Sequence, residues 1–586
     1  MEIRSIAVIG GGRMGRQIAL DAAIHGFPAV VYDLKEEVCA DVEKWAEEYL
    51  AGRIAKGRMT AEQVAKIKSI FRVERDLQKA VAGVDCVVEA IVEIEDIKRK
   101  VFQSLSDILP EDTIIATNSS AMVSSKFAGD VKNPKRLCNM HYYNPALVMK
   151  FVEVVQGEHT AEETARACVE FCKKCGKKPA WMRKELPGFL GNYIYGGISS
   201  RAKYVVQNGY CTPQDVDTAL EEGRGAKMGV FRTNDLTGID LTLDMMNNMY
   251  KRTGEKPDMY DVYAQMVAEG KLGRKSGKGF YDYTNPQAEQ GPQEDIVPGG
   301  REIRSVAVVG GGRMGRQIAL DAAIHGYAAA VYDLKEEVCA DVENWAEEYL
   351  AGRIAKGRMT EAQVAKVKAN FRVERELSMA VADADLVVEA VVEDEELKRK
   401  VLAQISDTAR EDAIIATNSS VMVSSLFAAA VKNPGRLCNL HYYYPALVMK
   451  FVEVVQGEHT DEDVARACYN FAIRCGKKPA WMRKELPGFL CNYVYGGLME
   501  RSRYLVQNEY CTPQDVDAAM EYGFNYKMGP FRTQDYTGFA VTWHMMQKKY
   551  EETGVKPDMY DYYKKMVDEG RLGKAAGKGF YDYTTE

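Results

Sequence analysis

The chain repeats itself at an offset of 300 residues, and this constrains its fold more than any other feature. GGRMGRQIAL at 11–20 recurs at 311–320, WMRKELPGFL at 181–190 recurs at 481–490, and 202 of the 286 pairs joining 1–286 to 301–586 are identical without a gap. Solenoid repeats are roughly 20–50 residues long, so this is a tandem duplication, and whatever one copy folds into is present twice. One copy has room for two domains of ordinary size, about 100–200 residues each. Between the copies, Gln287–Gly300 (QAEQGPQEDIVPGG) is polar and carries Pro and Gly, the composition of an exposed linker.

Within each copy, short apolar runs alternate with amphipathic stretches. Ser5–Ile9 reads as a buried strand, Met14–His25 as a helix and Ala29–Tyr32 as a second strand. Glu36–Ile54 carries Val38, Val42, Trp45, Tyr49 and Ile54 near helical spacing. Thr60-Ala-Glu-Gln63 has the pattern of a capping box and opens another helix. Phe71–Val73, Val84–Ala90, Thr113–Thr117, Leu137–Tyr142 and Phe151–Val155 follow as strands. Strands interleaved with helices imply a parallel, doubly wound sheet. After about Leu186 helical periods dominate, and Thr212-Pro213 supplies an N-cap with Pro at the first helical position.

Gly10-Gly-Gly12-Arg-Met-Gly15 follows a strand and opens a helix. The first Gly permits the tight turn, the second admits a pyrophosphate, and the third lets helix and strand approach. A helix N-terminus stabilises phosphate charge. Asp33 ends the next strand, 23 residues after Gly10. A carboxylate there suits the adenosine ribose hydroxyls and repels a 2′-phosphate, which favours NAD over NADP. The same context recurs at Gly310, Gly312, Gly315 and Asp333. The expected fold class is therefore α/β: a Rossmann-type doubly wound sheet plus an all-helical C-terminal domain, the pair repeated twice. The expected boundaries are 1–184 and 301–484 for the dinucleotide domains, 185–286 and 485–586 for the helical domains, and 287–300 for the linker.

Histidine is scarce, with seven in the chain. His25 and His325 stand where a helix ends before Gly, as capping groups; His159 and His459 lie in polar GEHT turns and read as solvated. His141 differs. It closes a strand in HYYNPALVMKFVEVV, with Glu153 at the centre of the next apolar strand. A carboxylate in such a strand is costly unless paired, and a His–Glu pair accounts for it, whether structural or catalytic.

Composition removes several classes of function. A net charge of −7 lacks the basic excess of a nucleic-acid protein. No apolar run reaches the ~18 residues that span a bilayer, and a strand starting at the fifth residue leaves no room for a secretory signal. The thirteen Cys are scattered, and the one CxxC, Cys172-Lys-Lys-Cys175, has Ala472 in place of its first Cys in the second copy. Small buried thiols in a reducing cytoplasmic compartment are expected, with no metal.

With these residues in view, the chain resembles the L-3-hydroxyacyl-CoA dehydrogenase family, of the 3-hydroxybutyryl-CoA dehydrogenase type, in two fused copies. The matching stretches are VIGGGRMGRQIA, VVEAIVE, IIATNSS, HYYNPALVMKFVEVV, KELPGF with Asn192, and GRKSGKGFYDY. The resemblance implies NAD-dependent oxidation of a 3-hydroxyacyl-CoA to the 3-oxoacyl-CoA, or the reverse, as in fatty-acid β-oxidation. It implies His141 as general base, Glu153 orienting it, Ser120 and Asn192 holding the substrate, and Glu93 and Lys98 beside the nicotinamide half of the cofactor. In the second copy these are His441, Glu453, Ser420, Asn492, Glu393 and Lys398. It implies CoA phosphate binding near Arg53, Lys56 and Arg58, and near Arg353, Lys356 and Arg358, with Asn144 also lining the substrate site. It further implies dimerisation through the helical domain, so that the two halves form an internal pseudo-dimer, with further homo-oligomerisation open. A 3-hydroxy acid dehydrogenase acting without CoA, and an NAD-binding protein without catalysis, remain as alternatives.

The chain departs from the family pattern in places. Tyr444 replaces Asn144 in the second copy; Tyr193 and Tyr493 stand where an Arg usually follows the Asn; and both copies read HYY where HFF is usual. Between copies, 46 of 50 pairs match over 11–60 but only 15 of 30 over 221–250. Both halves are therefore expected to bind NAD while their acyl pockets or interfaces have diverged.

Overall fold

The structure is a computed structural model, and it describes residues 2–284 and 296–584. The linker expected at 287–300 lies outside the described residues except for 296–300.

Each copy builds one eight-stranded sheet. In the first, the strands are β1 (Ile6–Ile9), β2 (Ala29–Tyr32), β3 (Phe71–Glu74), β4 (Cys86–Glu89), β5 (Ile114–Thr117), β6 (Leu137–Tyr142), β7 (Phe151–Val155) and β8 (Lys178–Met182). Their spatial order is β3-β2-β1-β4-β5-β6-β7-β8, and the second copy repeats it. β1 to β6 pair in parallel, joined by helices such as Arg13–Ile24, Glu36–Ala55 and Glu95–Ile108. Both faces are covered, as a parallel sheet requires. Ile6 and Val8 pack with Ile18, Val42 and Leu50 on one face, and Ala7 and Ile9 with Phe102, Leu105 and Phe127 on the other.

Two features differ from the all-parallel expectation. β7 runs antiparallel to β6, because the eight residues between them are too few for a parallel crossover, which needs a dozen or more. β8 is an additional edge strand parallel to β7. Its Pro179 lacks an N–H, which is tolerated at a sheet edge.

Beyond the sheet, the helices Phe189–Gln207, Pro213–Arg224, Val230–Thr237, Ile239–Thr253 and Tyr260–Ala268 follow. Thr212 caps the second of these by accepting from Asp215 N while the Asp215 side chain accepts from Thr212 N. Asp217, fully buried, accepts from Phe231 N, Arg232 N and the Tyr281 hydroxyl, so it satisfies the next helix's free N-terminal donors.

The chain forms two compact units, and each draws on both copies. One comprises Met1–Gly196 with Leu498–Glu586, the other Gly197–Gly497. In the first unit, Asp515 of the helix Pro513–Ala518 accepts from Trp181 N on β8 at 3.0 Å, and Arg183 N donates to Tyr510 O at 2.8 Å. In the second, Asp215 accepts from Trp481 N at 2.9 Å. Each dinucleotide domain is thus packed against the other copy's helical domain.

Candidate active site

Strand order reverses between β1 and β4, and in open α/β sheets the crevice at such a reversal, beyond the strands' carboxyl ends, is where ligands bind. A cleft of about 890 Å³ opens there in the first copy, lined by Gly10, Gly12, Asp33, Glu93, Lys98 and Ser120 among others. The glycines have distinct physical reasons. Gly10 has φ +110°, a region L side chains rarely adopt, and a Cβ on it would lie 2.6 Å from Ala90 O. A Cβ on Gly15 would overlap the Gly10 carbonyl oxygen. A Cβ on Gly12 would meet nothing, so this residue leaves open space at the N-terminus of Arg13–Ile24, where no side chain caps the free N–H groups. Uncapped N–H donors facing a cleft are what an anion such as pyrophosphate requires. Asp33 Oδ2 accepts from Gly11 N at 2.8 Å, which fixes the carboxylate beside the turn. Gly310, Gly312, Gly315 and Asp333 repeat this arrangement.

Below the cleft sits a buried charge cluster. Lys98, 1% exposed, pairs with Glu89 at 2.7 Å and Glu93 at 3.0 Å. Glu89 is completed by Thr117 Oγ1 and Ile91 N. Glu93 accepts from the Ser119 hydroxyl and from Ser120 N at 2.9 Å. Burial pushes the Glu93 carboxyl up, but the Ser119 hydroxyl and Lys98 outweigh it and hold the carboxyl below its ordinary range. Glu93 and Lys98 therefore meet, and together they shape the loop that presents exposed Ser120. Glu393, Lys398 and Ser420 do the same, with Lys398 3.3 Å from Glu393.

His141 and Glu153 are direct cross-strand partners on β6 and β7. His141 Nδ1 lies 2.6 Å from Glu153 Oε2, and Gly191 N donates to Glu153 Oε1 at 2.7 Å. Both side chains are buried. Phe189, held at φ +54°, packs its ring 5.5 Å from the imidazole, and Asn192 follows one turn into the same helix. In the second copy His441 and Glu453 are 2.7 Å apart and Cys491 N replaces the Gly191 donor. Tyr443 adds a hydroxyl donor to Glu453 at 3.2 Å.

Other expected residues lie apart from this pair. Arg53, Lys56 and Arg58 stand at the end of Glu36–Ala55, and neither they nor Arg353, Lys356 and Arg358 form an ion pair among the described residues. Asn144 and Tyr444 are exposed, each preceding a cis-Pro. His25 caps its helix, with Nδ1 2.8 Å from Asp21 O. His159 is half-buried rather than fully solvated: it packs near Ser124 and Thr160, and burial pushes its pKa down. Cys172 and Cys175 are buried free thiols, and burial pushes the Cys172 thiol up to about 12.

Sequence reasoning misses three residues that position the site. Asn118 Oδ1 accepts from Tyr142 N at 2.8 Å, locking β5 to β6 beside His141. Glu185 accepts from Ser124 Oγ and Ser125 N, holding the loop after Ser120. Glu89 anchors Lys98 as described. Glu89 was findable: like Glu153, it is a carboxylate in an otherwise apolar strand.

Comparison with known proteins adds independent findings. The model of the 3-hydroxyacyl-CoA dehydrogenase NAD-binding domain matches residues 5–186 and 305–486, and that of the 3-hydroxyacyl-CoA dehydrogenase C-terminal domain matches 188–283 and 488–583. Mouse mitochondrial hydroxyacyl-coenzyme A dehydrogenase is 35% identical over 290 residues, covering 48% of this chain and 91% of the relative. A probable 3-hydroxybutyryl-CoA dehydrogenase of Bacillus subtilis is 34% identical over 284 residues, 48% of this chain and 98% of the relative. The 3-hydroxyadipyl-CoA dehydrogenase of Escherichia coli is 33% identical over 287 residues, 48% of this chain, and the match spans 60% of that relative's length. A crystal structure of 3-hydroxybutyryl-CoA dehydrogenase from Escherichia coli shares the fold, with TM-score 0.67 and 22% identity over 97% of this chain and all of that one. Among the described residues no helix is long and apolar enough to cross a membrane.

Proposed function

The chain belongs to the 3-hydroxyacyl-CoA dehydrogenase family, as an NAD-dependent oxidoreductase carrying both domains twice, and from that premise we propose that each copy interconverts a 3-hydroxyacyl-CoA and its 3-oxoacyl-CoA. The observation that carries this reading is the buried His–Glu pair, set across two strands and repeated in both copies. NAD, when bound, supplies the hydride acceptor. Gly10, Gly12, Gly15 and Asp33 are the residues that would hold it, with Glu93 and Lys98 shaping the nicotinamide end. With Nδ1 engaged by Glu153, the His141 Nε2 is left to take the proton from the substrate 3-hydroxyl as the hydride leaves C3. Glu153 fixes the tautomer and stabilises the imidazolium that forms. Ser120 and Asn192 hydrogen-bond the substrate oxygen. His441, Glu453, Ser420 and Asn492 act alike.

Arg53, Lys56 and Arg58 are the proposed CoA phosphate ligands, supported by their lack of ion-pair partners. The two copies act as an internal pseudo-dimer, a reading supported by the exchange of helical domains within each compact unit. Thirteen buried thiols suit a reducing, cytoplasmic compartment. The test is reduction of acetoacetyl-CoA by NADH, alongside equilibrium titration. Two NADH sites per chain and loss of turnover in His141→Ala plus His441→Ala are expected. Full turnover in that double variant, or activity with free acetoacetate only, overturns the reading.

A further inference from the structure

The two sites face different side chains at one point. In the unit Gly197–Gly497, the helix Pro213–Arg224 ends against the second copy's His–Glu site. A Cβ on Gly223 would lie 2.8 Å from Phe451 Cδ1 and 3.0 Å from Cys491 Sγ. Arg224, the last residue of that helix, donates from Nη2 to Asn492 Oδ1 and lies 4.5 Å from the Tyr495 ring centroid. Its Nε is buried without a hydrogen bond. No described carboxylate pairs with it. Glu221 is engaged by Arg232 and Gly229 N, Glu222 by Lys478 at 2.6 Å, and Glu453 by His441, Tyr443 and Cys491 N.

The equivalent residue in the other unit is Phe524. It stacks on Tyr195 with centroids 4.6 Å apart and planes 10° apart, and meets Tyr143 edge-on at 6.0 Å. Gly191 makes room for this, since a Cβ there would lie 3.0 Å from Phe524 Cε2. The pair Gly191 and Phe524 is thus exchanged for Cys491 and Arg224. Asn525, in the left-handed region at φ +56°, takes over the helix-terminating role of Gly225 at φ +69°, so both helices still deliver their end to the site.

A half-buried guanidinium whose Nε is shielded from water and that meets no carboxylate is stabilised by a ligand that brings the anion. In place of the guanidinium, Phe524 offers a carboxylate neither a charge nor a donor, and its ring favours apolar or aromatic groups. Resting on the reading of function above, we propose that the second site takes thioesters whose acyl group carries a carboxylate, which pairs with Arg224. The first site takes neutral apolar or aromatic acyl groups against Phe524, Tyr143 and Tyr195. Arg224 and Phe524 determine specificity and take no part in proton transfer.

The test uses full-length chains with one site silenced. His141→Ala leaves the second site and His441→Ala the first. Each is assayed with NADH and a matched pair, 3-oxohexanoyl-CoA and the six-carbon 3-oxoacyl-CoA ending in a carboxylate. A charged hydrogen bond of ordinary strength corresponds to roughly a 10- to 100-fold change in kcat/KM. The carboxylate ester should be favoured by that order in the second-site chain, and the neutral ester in the first-site chain. Arg224→Met in the second-site chain should bring the ratio of the two esters near unity, and Phe524→Arg in the first-site chain should create a carboxylate preference. Equal ratios in the two single-site chains overturn the proposal while leaving the dehydrogenase reading intact. Absence of turnover with every thioester in both chains overturns that reading, and this proposal with it.

Discussion

Replacing Glu153 by Gln isolates the part played by the buried carboxylate. The side chain keeps its shape but has one acceptor oxygen where the carboxylate has two, and both are in use: Oε2 toward His141 Nδ1 at 2.6 Å and Oε1 toward Gly191 N at 2.7 Å. If the amide oxygen keeps the Gly191 bond, its NH2 faces His141 and forces the proton onto Nε2, the nitrogen that must accept it from substrate. The lost charge adds to this. Two unit charges about 4 Å apart in an effective dielectric of about 20 attract by ~4 kcal/mol. With the proton only partly transferred, roughly half of that applies, and the tautomer penalty restores most of the remainder. At about 1.36 kcal/mol per factor of ten, kcat should fall roughly 100- to 1,000-fold. The assay is acetoacetyl-CoA reduction followed by NADH absorbance, in a His441→Ala background so that only the first site reports. A fall below tenfold, or one confined to KM, would refute the assignment of Glu153 as the group that sets the tautomer and charge of His141.

Further outcomes follow from the same structure. Gly12→Ala meets no atom, so the thermal midpoint should hold while NADH binding at the first site weakens at least ~10-fold as the methyl enters phosphate space; unchanged titration stoichiometry and affinity would contradict the assigned cradle. Lys98→Met leaves buried Glu89 unpaired and should cost on the order of 3 kcal/mol in denaturant unfolding. Adding Glu89→Gln should recover much of that, and a single variant as stable as the parent would be decisive against the cluster. The Asp217 carboxyl is pushed up to about 7 by burial. Its raised folded pKa contributes stability that is complete below the ordinary carboxylate range and lost as pH rises through about 7. Asp217→Asn should therefore gain on the parent between acid and neutral pH, read as the difference in thermal midpoints. A constant difference across that range would refute the assignment.

Much of this fold is written in local patterns. β6 and β7 are read to the residue because each is an apolar run bounded by Pro or charge, and Glu153 stands out within its run. The capping boxes at Thr60 and Thr212 are equally local. β8 escapes because Lys178 and Pro179 look unlike a strand, and only its place at the sheet edge makes them acceptable. The direction of β7 is encoded in the shortness of the preceding turn rather than in any residue. His159 is read only in part, because its GEHT turn is polar, whereas the Ser124 and Glu185 beside which it is half-buried lie 35 and 26 residues away. The geometry of the His–Glu pair is half legible: spacing suggests His141 with Glu153, but only the folded chain supplies Gly191 N. The divergence over 221–250 is visible in the sequence, yet what those residues face is not, since Arg224 and Asn492 are 268 positions apart.

Because each compact unit takes its dinucleotide domain from one repeat and its helical domain from the other, the two repeats cannot drift as independent genes would. A change at residue 224 or 524 is felt across from the opposite repeat's His–Glu pair. Arg224 and Phe524 are therefore encoded in one repeat and stand at the site of the other. A comparison that scores each half alone would assign each proposed acyl preference to the wrong repeat.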